Sequence, residues 1–254
     1  MNGWKSDDML QILQNGTLEL EGLLPWCSNY AFLVRVCDGP ADIEAVYKPQ
    51  RGERPLWDFP QGTLCLREQA AFVVSEALGW NLVPPTVLRE GQHGLGSIQL
   101  FIEHDPELHY FTIEGDRQFR AQLQKFVLFD VLVNNADRKA GHILIQKATE
   151  PGGIPRLWGI DHGICFHPDP KLRTVIWEFG GTPIPARLRA DLDAFRALLM
   201  DGAGNGKTED VPARLGGLLS RPEIEALTRR LDRLVDSSIF PQPGAGRHYP
   251  WPPV

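Results

Sequence analysis

The apolar run from Phe126 to Val133 stops abruptly at Asn134-Asn135-Ala136-Asp137-Arg138-Lys139-Ala140-Gly141. The pattern over Phe119–Val133 predicts a helix whose second half is almost wholly apolar, and such a helix has to lie inside a core. The polar, small-residue chain that follows reads as a loop fixed to a rigid scaffold, where catalytic groups are commonly presented. A length of 254 residues is enough to surround that helix, as one large domain or as two small lobes sharing a cleft.

On either side of this helix the patterning differs. Ser6, Asp7 and Asp8 open a short predicted helix running to Gly16. Strand-like runs follow at Thr17–Leu24, Tyr30–Cys37 and Ile43–Tyr47, separated by residues with turn chemistry. After the polar stretch Pro49–Gly62, Thr63 is a candidate cap for a helix over Leu64–Leu78, closed by Gly79. Further strands are expected at Thr86–Arg89 and Ser97–Glu103. Beyond Phe119–Val133 come two short strands, His142–Gln146 and Arg156–Ile160, then helices over Arg187–Met200, Val211–Leu219 and Glu223–Val235. Expected is an α+β chain with a small antiparallel-sheet lobe (1–103), a helical lobe (104–240) and a proline-rich tail (241–254), whose Trp251 folds back onto the helical lobe.

Charge narrows the partners. With 26 Lys+Arg against 32 Asp+Glu, the formal charge of −6 argues against a nucleic-acid binder driven by a basic face. The four scattered cysteines form no C-x-x-C pair, so a reducing cytoplasm is the expected setting. No run approaches the roughly 18 apolar residues of a membrane span, so no integral membrane association is expected.

Four polar residues stand at element edges. Lys48 ends the third strand and Glu68 flanks the apolar arc of the next helix. Asp137 lies in the loop after the buried helix, and Asp161 ends a strand just before His162-Gly163. Singly, each has an ordinary reading: a boundary lysine, a solvated helix glutamate, two turn aspartates. Together, and in this order, they match what phosphoryl transfer needs. A lysine neutralises nucleotide phosphates, a glutamate holds it, a loop aspartate orients the attacking hydroxyl, and a last aspartate holds the bridging metal.

Val46-Tyr47-Lys48-Pro49, Arg67-Glu68-Gln69-Ala70-Ala71, Asn135 through His142, and Ile160-Asp161-His162-Gly163 resemble the motifs of the phosphatidylinositol 3- and 4-kinase-like group. That group includes HipA-type serine/threonine kinases and an uncharacterised bacterial set, to which the similarity is closest. The resemblance implies a two-lobed protein-kinase-like fold with ATP in the cleft. It implies Lys48 on the α/β-phosphates, Glu68 paired with it, Asp137 as the catalytic aspartate beside Arg138, and Asp161 as metal ligand. Ser28 and Asn29 fall in the turn that takes the place of the phosphate-covering loop. Backbone groups of Gln99–Glu103, Phe101, Ile102 and Glu103 above all, are expected at adenine. Five residues after Asp137 the group usually has an asparagine metal ligand, and here the residue is His142, a softer donor suited to Mn²⁺, Zn²⁺ or similar ions more than to Mg²⁺, so that ATP with Mg²⁺ or Mn²⁺ is expected, Mn²⁺ favoured. The implied reaction is γ-phosphoryl transfer to a hydroxyl of an unidentified protein or small-molecule acceptor, with protein Ser/Thr preferred over a lipid headgroup. The alternatives are a non-catalytic nucleotide-binding scaffold and a nucleotidyl transferase using the same cleft.

Overall fold

A computed structural model describes residues 6–25, 29–201 and 210–254, so Ser28 lies outside the described residues, as do Trp26 and Cys27. Helix α1 (Ser6–Asn15) precedes strands β1 (Thr17–Leu23), β2 (Phe32–Asp38) and β3 (Ala41–Pro49). Helix α2 (Leu64–Ala77) then leads to β4 (Thr86–Gly91) and β5 (Gly94–Leu100). The five strands form one antiparallel sheet in the order β1-β2-β3-β5-β4. Alternation along β3 buries Ala45 and Tyr47 with Met9, Ile12 and Leu13 of α1, in a core that belongs to the sheet. The same period of two puts Glu44, Val46 and Lys48 together on the opposite face. Lys48 is paired in register with Ser97 of β5.

Thr63 does not cap α2: its hydroxyl donates to Pro60 O at 2.7 Å. The first turn is satisfied instead by Glu53, whose Oε1 accepts from Cys65 N at 2.9 Å. Gly79 closes the helix with a φ of 64°, as the glycine predicts. The apolar residues of α2 from Ala70 to Leu78 pack into a second, larger core shared with the C-terminal helices.

The strand expected over Ser97–Glu103 ends at Leu100, and the chain from Phe101 to His109 is irregular. A one-turn helix, α3 (Tyr110–Ile113), which the sequence pattern does not resolve, comes before α4 (Arg120–Val133). α4 is the predicted core helix, with Phe126, Leu128, Phe129, Leu132 and Val133 fully buried. It ends at Asn134 in the left-handed conformation (φ 53°). The side-chain amide of Asn134 donates to His167 O and Asp169 O, which ties the loop beyond β7 to the end of α4.

A hairpin of β6 (Ile143–Gln146) and β7 (Arg156–Gly159) follows. Helices α5 (Ala186–Asp201), α6 (Val211–Gly216) and α7 (Arg221–Ser237) complete the helical part. The tail returns along the loop after α4: Pro253 O accepts from Ala140 N at 2.8 Å and His248 O from Thr174 N at 3.0 Å. Trp251 itself does not fold in. It is 77% exposed, because the tail docks through its backbone and the buried Pro250.

Candidate active site

Lys48 stands between two carboxylates. Its Nζ is 2.5 Å from Glu68 Oε1 and 3.1 Å from Asp161 Oδ1. Burial works against the ammonium charge, but Asp161 and Glu68 outweigh it and raise the lysine pKa. Lys48 in turn holds the Asp161 carboxyl well below the ordinary carboxylate range. Glu68 is 3% exposed, and its Oε2 accepts from His162 N at 2.9 Å. This glutamate therefore ties the sheet to the turn after β7. Asp161 adopts a left-handed φ of 59°, which aspartate tolerates better than most side chains and which turns its carboxylate into the cleft.

Asp137 is part-buried, and burial raises its pKa to about 6, helped by Asp161 and opposed by Lys139. Lys139 Nζ lies 3.7 Å from Asp137 Oδ2. That lysine is a site residue the sequence reading passed over. Its signal is its spacing, two residues beyond Asp137, which in extended chain returns a side chain to the same side.

Arg138, between them, points the other way and is fully buried. It pairs with Asp130 of α4 at 3.0 Å, donates to His142 O and Ile160 O, and lies 2.7 Å from His162 Nε2. With no surface open to a substrate, Arg138 ties the loop that carries Asp137 and His142 to the strand end before Asp161 through the carbonyls of His142 and Ile160. Thr174 bridges in parallel to Arg138 and bonds the same Asp130 carboxylate at 3.1 Å.

His142 meets Asp161: Nε2 is 3.3 Å from Oδ2. Burial pushes the imidazole down to about 4, so it is neutral at pH 7. Its Nδ1 lies 2.9 Å from Asp137 O and 3.4 Å from Lys139 N. The shorter contact, to a carbonyl, calls for the proton on Nδ1. Nε2 then presents its lone pair to a carboxylate oxygen, and two electron-pair donors facing each other are what a shared cation resolves. The donor set thus fits a divalent ion.

The predicted adenine-contacting segment is partly occupied by its own fold. Phe101 N donates to Glu44 O at 3.0 Å, Ile102 O is 2.7 Å from His104 Nδ1, and the Ile102 side chain is buried in the sheet core. Phe101 and Glu103 line a cavity of about 690 Å³ with Glu44, Leu100, Arg156 and Trp158. Glu44 and Lys48 share a strand face four residues apart, about 13 Å at the rise of a strand. Asn29 Oδ1 accepts from Arg54 N at 2.8 Å, which pins the turn before β2 to the segment after β3.

A five-stranded antiparallel sheet over a helical lobe, with a lysine–glutamate pair and two aspartates between them, defines a two-lobed protein-kinase-like fold. Solved structures agree on that fold. The Golgi casein kinase with Mn/ADP bound superposes with a TM-score of 0.55 at 16% identity, covering 98% of this chain and 80% of that one. The Helicobacter pylori proinflammatory kinase CtkA gives 0.53 at 11% identity, covering 90% and 94%. The profile described as Phosphatidylinositol 3- and 4-kinase matches residues 89–200. Phosphatidylinositol 4-kinase gamma 4 of Oryza sativa subsp. japonica is 32% identical over 121 residues, 41% of this chain and 20% of that protein. The chain belongs to the family of Protein Rv2133c of Mycobacterium tuberculosis, to which it is 37% identical over 97% of its own length and 95% of the relative's.

Proposed function

We propose that this protein is an ATP-dependent phosphotransferase that moves the γ-phosphoryl group to a hydroxyl, with a protein serine or threonine as the preferred acceptor. The observation that carries the reading is Lys48 held between Glu68 and Asp161 beside an aspartate, Asp137, whose pKa sits near 6. Lys48 binds the α/β-phosphates while Glu68 fixes its position. The nucleoside lies toward the cavity at Phe101 and Glu103, and the stretch of β3 from Glu44 to Lys48 matches the reach from base to phosphates. Asn29 flanks the phosphates from the turn above, while Ser28 lies outside the described residues. Asp137, ionised, orients the attacking hydroxyl and accepts its proton, and Lys139 balances the charge that gathers there. Asp161 and His142 would hold a divalent ion, Mg²⁺ or Mn²⁺, which when bound neutralises phosphate charge. Among the described residues no three His, Cys, Asp or Glu side chains gather as a metal group, so phosphate oxygens and water would complete its shell.

The preference for a protein acceptor rests on the surface. No helix among the described residues is long and apolar enough to cross a membrane. In the most amphipathic helix, α7, Ala226, Leu227, Leu231 and Leu234 are buried in the protein and unavailable to a bilayer.

The test supplies ATP labelled in the γ or the α position, with Mg²⁺ or Mn²⁺, to a dephosphorylated protein extract and to phosphatidylinositol-containing vesicles. Expected is γ-label on protein Ser/Thr that disappears in Asp137→Asn. Label confined to inositol lipid would reassign the acceptor, α-label in the product would make the protein a nucleotidyl transferase, and no transfer would leave the non-catalytic reading.

A further inference from the structure

Two successive residues of α2 hold the two ends of the short segment after Asp161. Glu68 accepts from His162 N, as described, and Arg67 Nη1 donates to Cys165 O at 2.7 Å. Arg67 is only 1% exposed, and its guanidinium lies 4.9 Å from the ring centre of Phe59 in the segment after β3. Its second arm, Nη2, is ion-paired with Glu223 Oε1. Glu223 belongs to the first turn of α7, and its other oxygen caps that helix, accepting from Ser220 N at 2.8 Å and Ser220 Oγ at 2.7 Å. One buried guanidinium thus joins α2, the chain after Asp161, the segment after β3 and the start of the C-terminal helix.

A guanidinium buried this deeply needs a counter-charge, and Glu223 is the carboxylate that pairs with it. If the Glu223 charge is lost, Arg67 is driven toward water and takes its hydrogen bond to Cys165 O with it. The backbone from His162 to Cys165 then keeps its bonds from His162 N to Glu68 and from Ala136 N to Ile164 O but loses the buried support at Cys165 O, and Asp161 directly precedes it. We propose that Arg67 and Glu223 are positioning residues of the active site, so that α7, far along the chain from the cleft, sets the placement of Asp161. The proposal builds on the phosphotransferase reading above, but its geometric part stands apart from it.

The test uses the full chain and the variant Glu223→Gln, which keeps an oxygen for the Ser220 cap and removes the charge. Arg221→Gln, which breaks only the exposed Arg221–Glu225 pair of the same helix, is the control. Two quantities are read: the affinity for ATP with Mn²⁺ and in EDTA, and backbone hydrogen exchange of the peptide spanning 161–166. Expected in Glu223→Gln is a loss of about tenfold in Mn²⁺-dependent ATP affinity, the scale seen when outer-shell support of a metal ligand is removed. ATP affinity in EDTA should hold, and exchange should quicken over 161–166 while β2 and β3 keep their protection. Faster exchange confined to α7, with the Mn²⁺-dependent affinity intact, would overturn the proposal. Should Glu223→Gln not fold, Arg67→Lys keeps the charge opposite Glu223 but lacks the fork that reaches Cys165 O. The same selective loss is expected there, and wild-type behaviour would refute the idea. If the wild-type chain binds no ATP, the phosphotransferase reading fails, and the exchange measurement still decides this one.

Discussion

Asp137 and Lys139 set the pH behaviour of the site. Burial raises the Asp137 carboxyl to about 6, so it is protonated below that pH and ionised above it. In the proposed reaction only the ionised form can accept a proton from the attacking hydroxyl, so kcat/KM is expected to rise with pH through about 6 and then level. The Lys139 charge lowers this pKa, and Lys139→Met should therefore move the rising limb to higher pH in a pH–rate profile. A limb unchanged in that variant would separate Lys139 from Asp137. Arg138 acts on stability instead. Asp130→Ala leaves its buried guanidinium without a counter-charge and should cost roughly 3–5 kcal/mol in a denaturant melt, whereas a loss under 1 kcal/mol would show the pair to be dispensable. Lys48, Asp137 and Asp161 were legible in the sequence because each is a polar residue where an apolar element ends. The burial of Glu68 was not legible, since its helix phase places it at the flank of the apolar arc. What buries it is the turn at His162, nearly a hundred residues away. Arg138 misleads for the same reason: its neighbours in sequence are site residues, but its partner Asp130 sits one helix turn deep in the core.

Among the elements, β3 does most to place the site, and β5 approaches it closely at Gly96. A Cβ there would stand 2.5 Å from both Lys48 O and a ring carbon of Tyr47, so the strand pair admits no side chain. Gly96→Ala should lower stability by about 1–3 kcal/mol through overpacking and shift Lys48 with the strand. A thermal melt with nucleotide titration would read both effects, and an unchanged melt would mean the two strands are not packed this closely. Element type and order followed from periodicity, down to the left-handed Gly79 that closes α2. The ends of elements did not. The strand expected to run to Glu103 stops at Leu100 because its pairing with β3 goes no further than the in-register bond from Phe101 N to Glu44 O, and the cap of α2 comes from Glu53, ten residues before the candidate Thr63. Both depend on contacts across the chain that no local pattern carries.

At the scale of the whole molecule, the described residues form two cores, one under the sheet and one among the helices, and the polar cluster lies where they meet. Lys48 comes from the sheet side; Asp137, His142 and Asp161 come from the helical side; Glu68, on a helix packed into the larger core, links them. Nucleotide and metal should therefore bind as one event that stabilises both lobes together. Asp161→Asn is the sharpest probe, because asparagine tolerates the left-handed backbone that Asp161 adopts, so the variant should fold. The decisive measurement is the thermal stability of the wild-type protein and Asp161→Asn with ATP in Mg²⁺, in Mn²⁺ and in EDTA. A metal-dependent gain is expected in the wild type, about 2.7 kcal/mol when ATP is at 100-fold its dissociation constant, and it should be absent in the variant. No gain with either metal, or the same gain in Asp161→Asn, would contradict the placement of ATP and metal between Lys48 and Asp161.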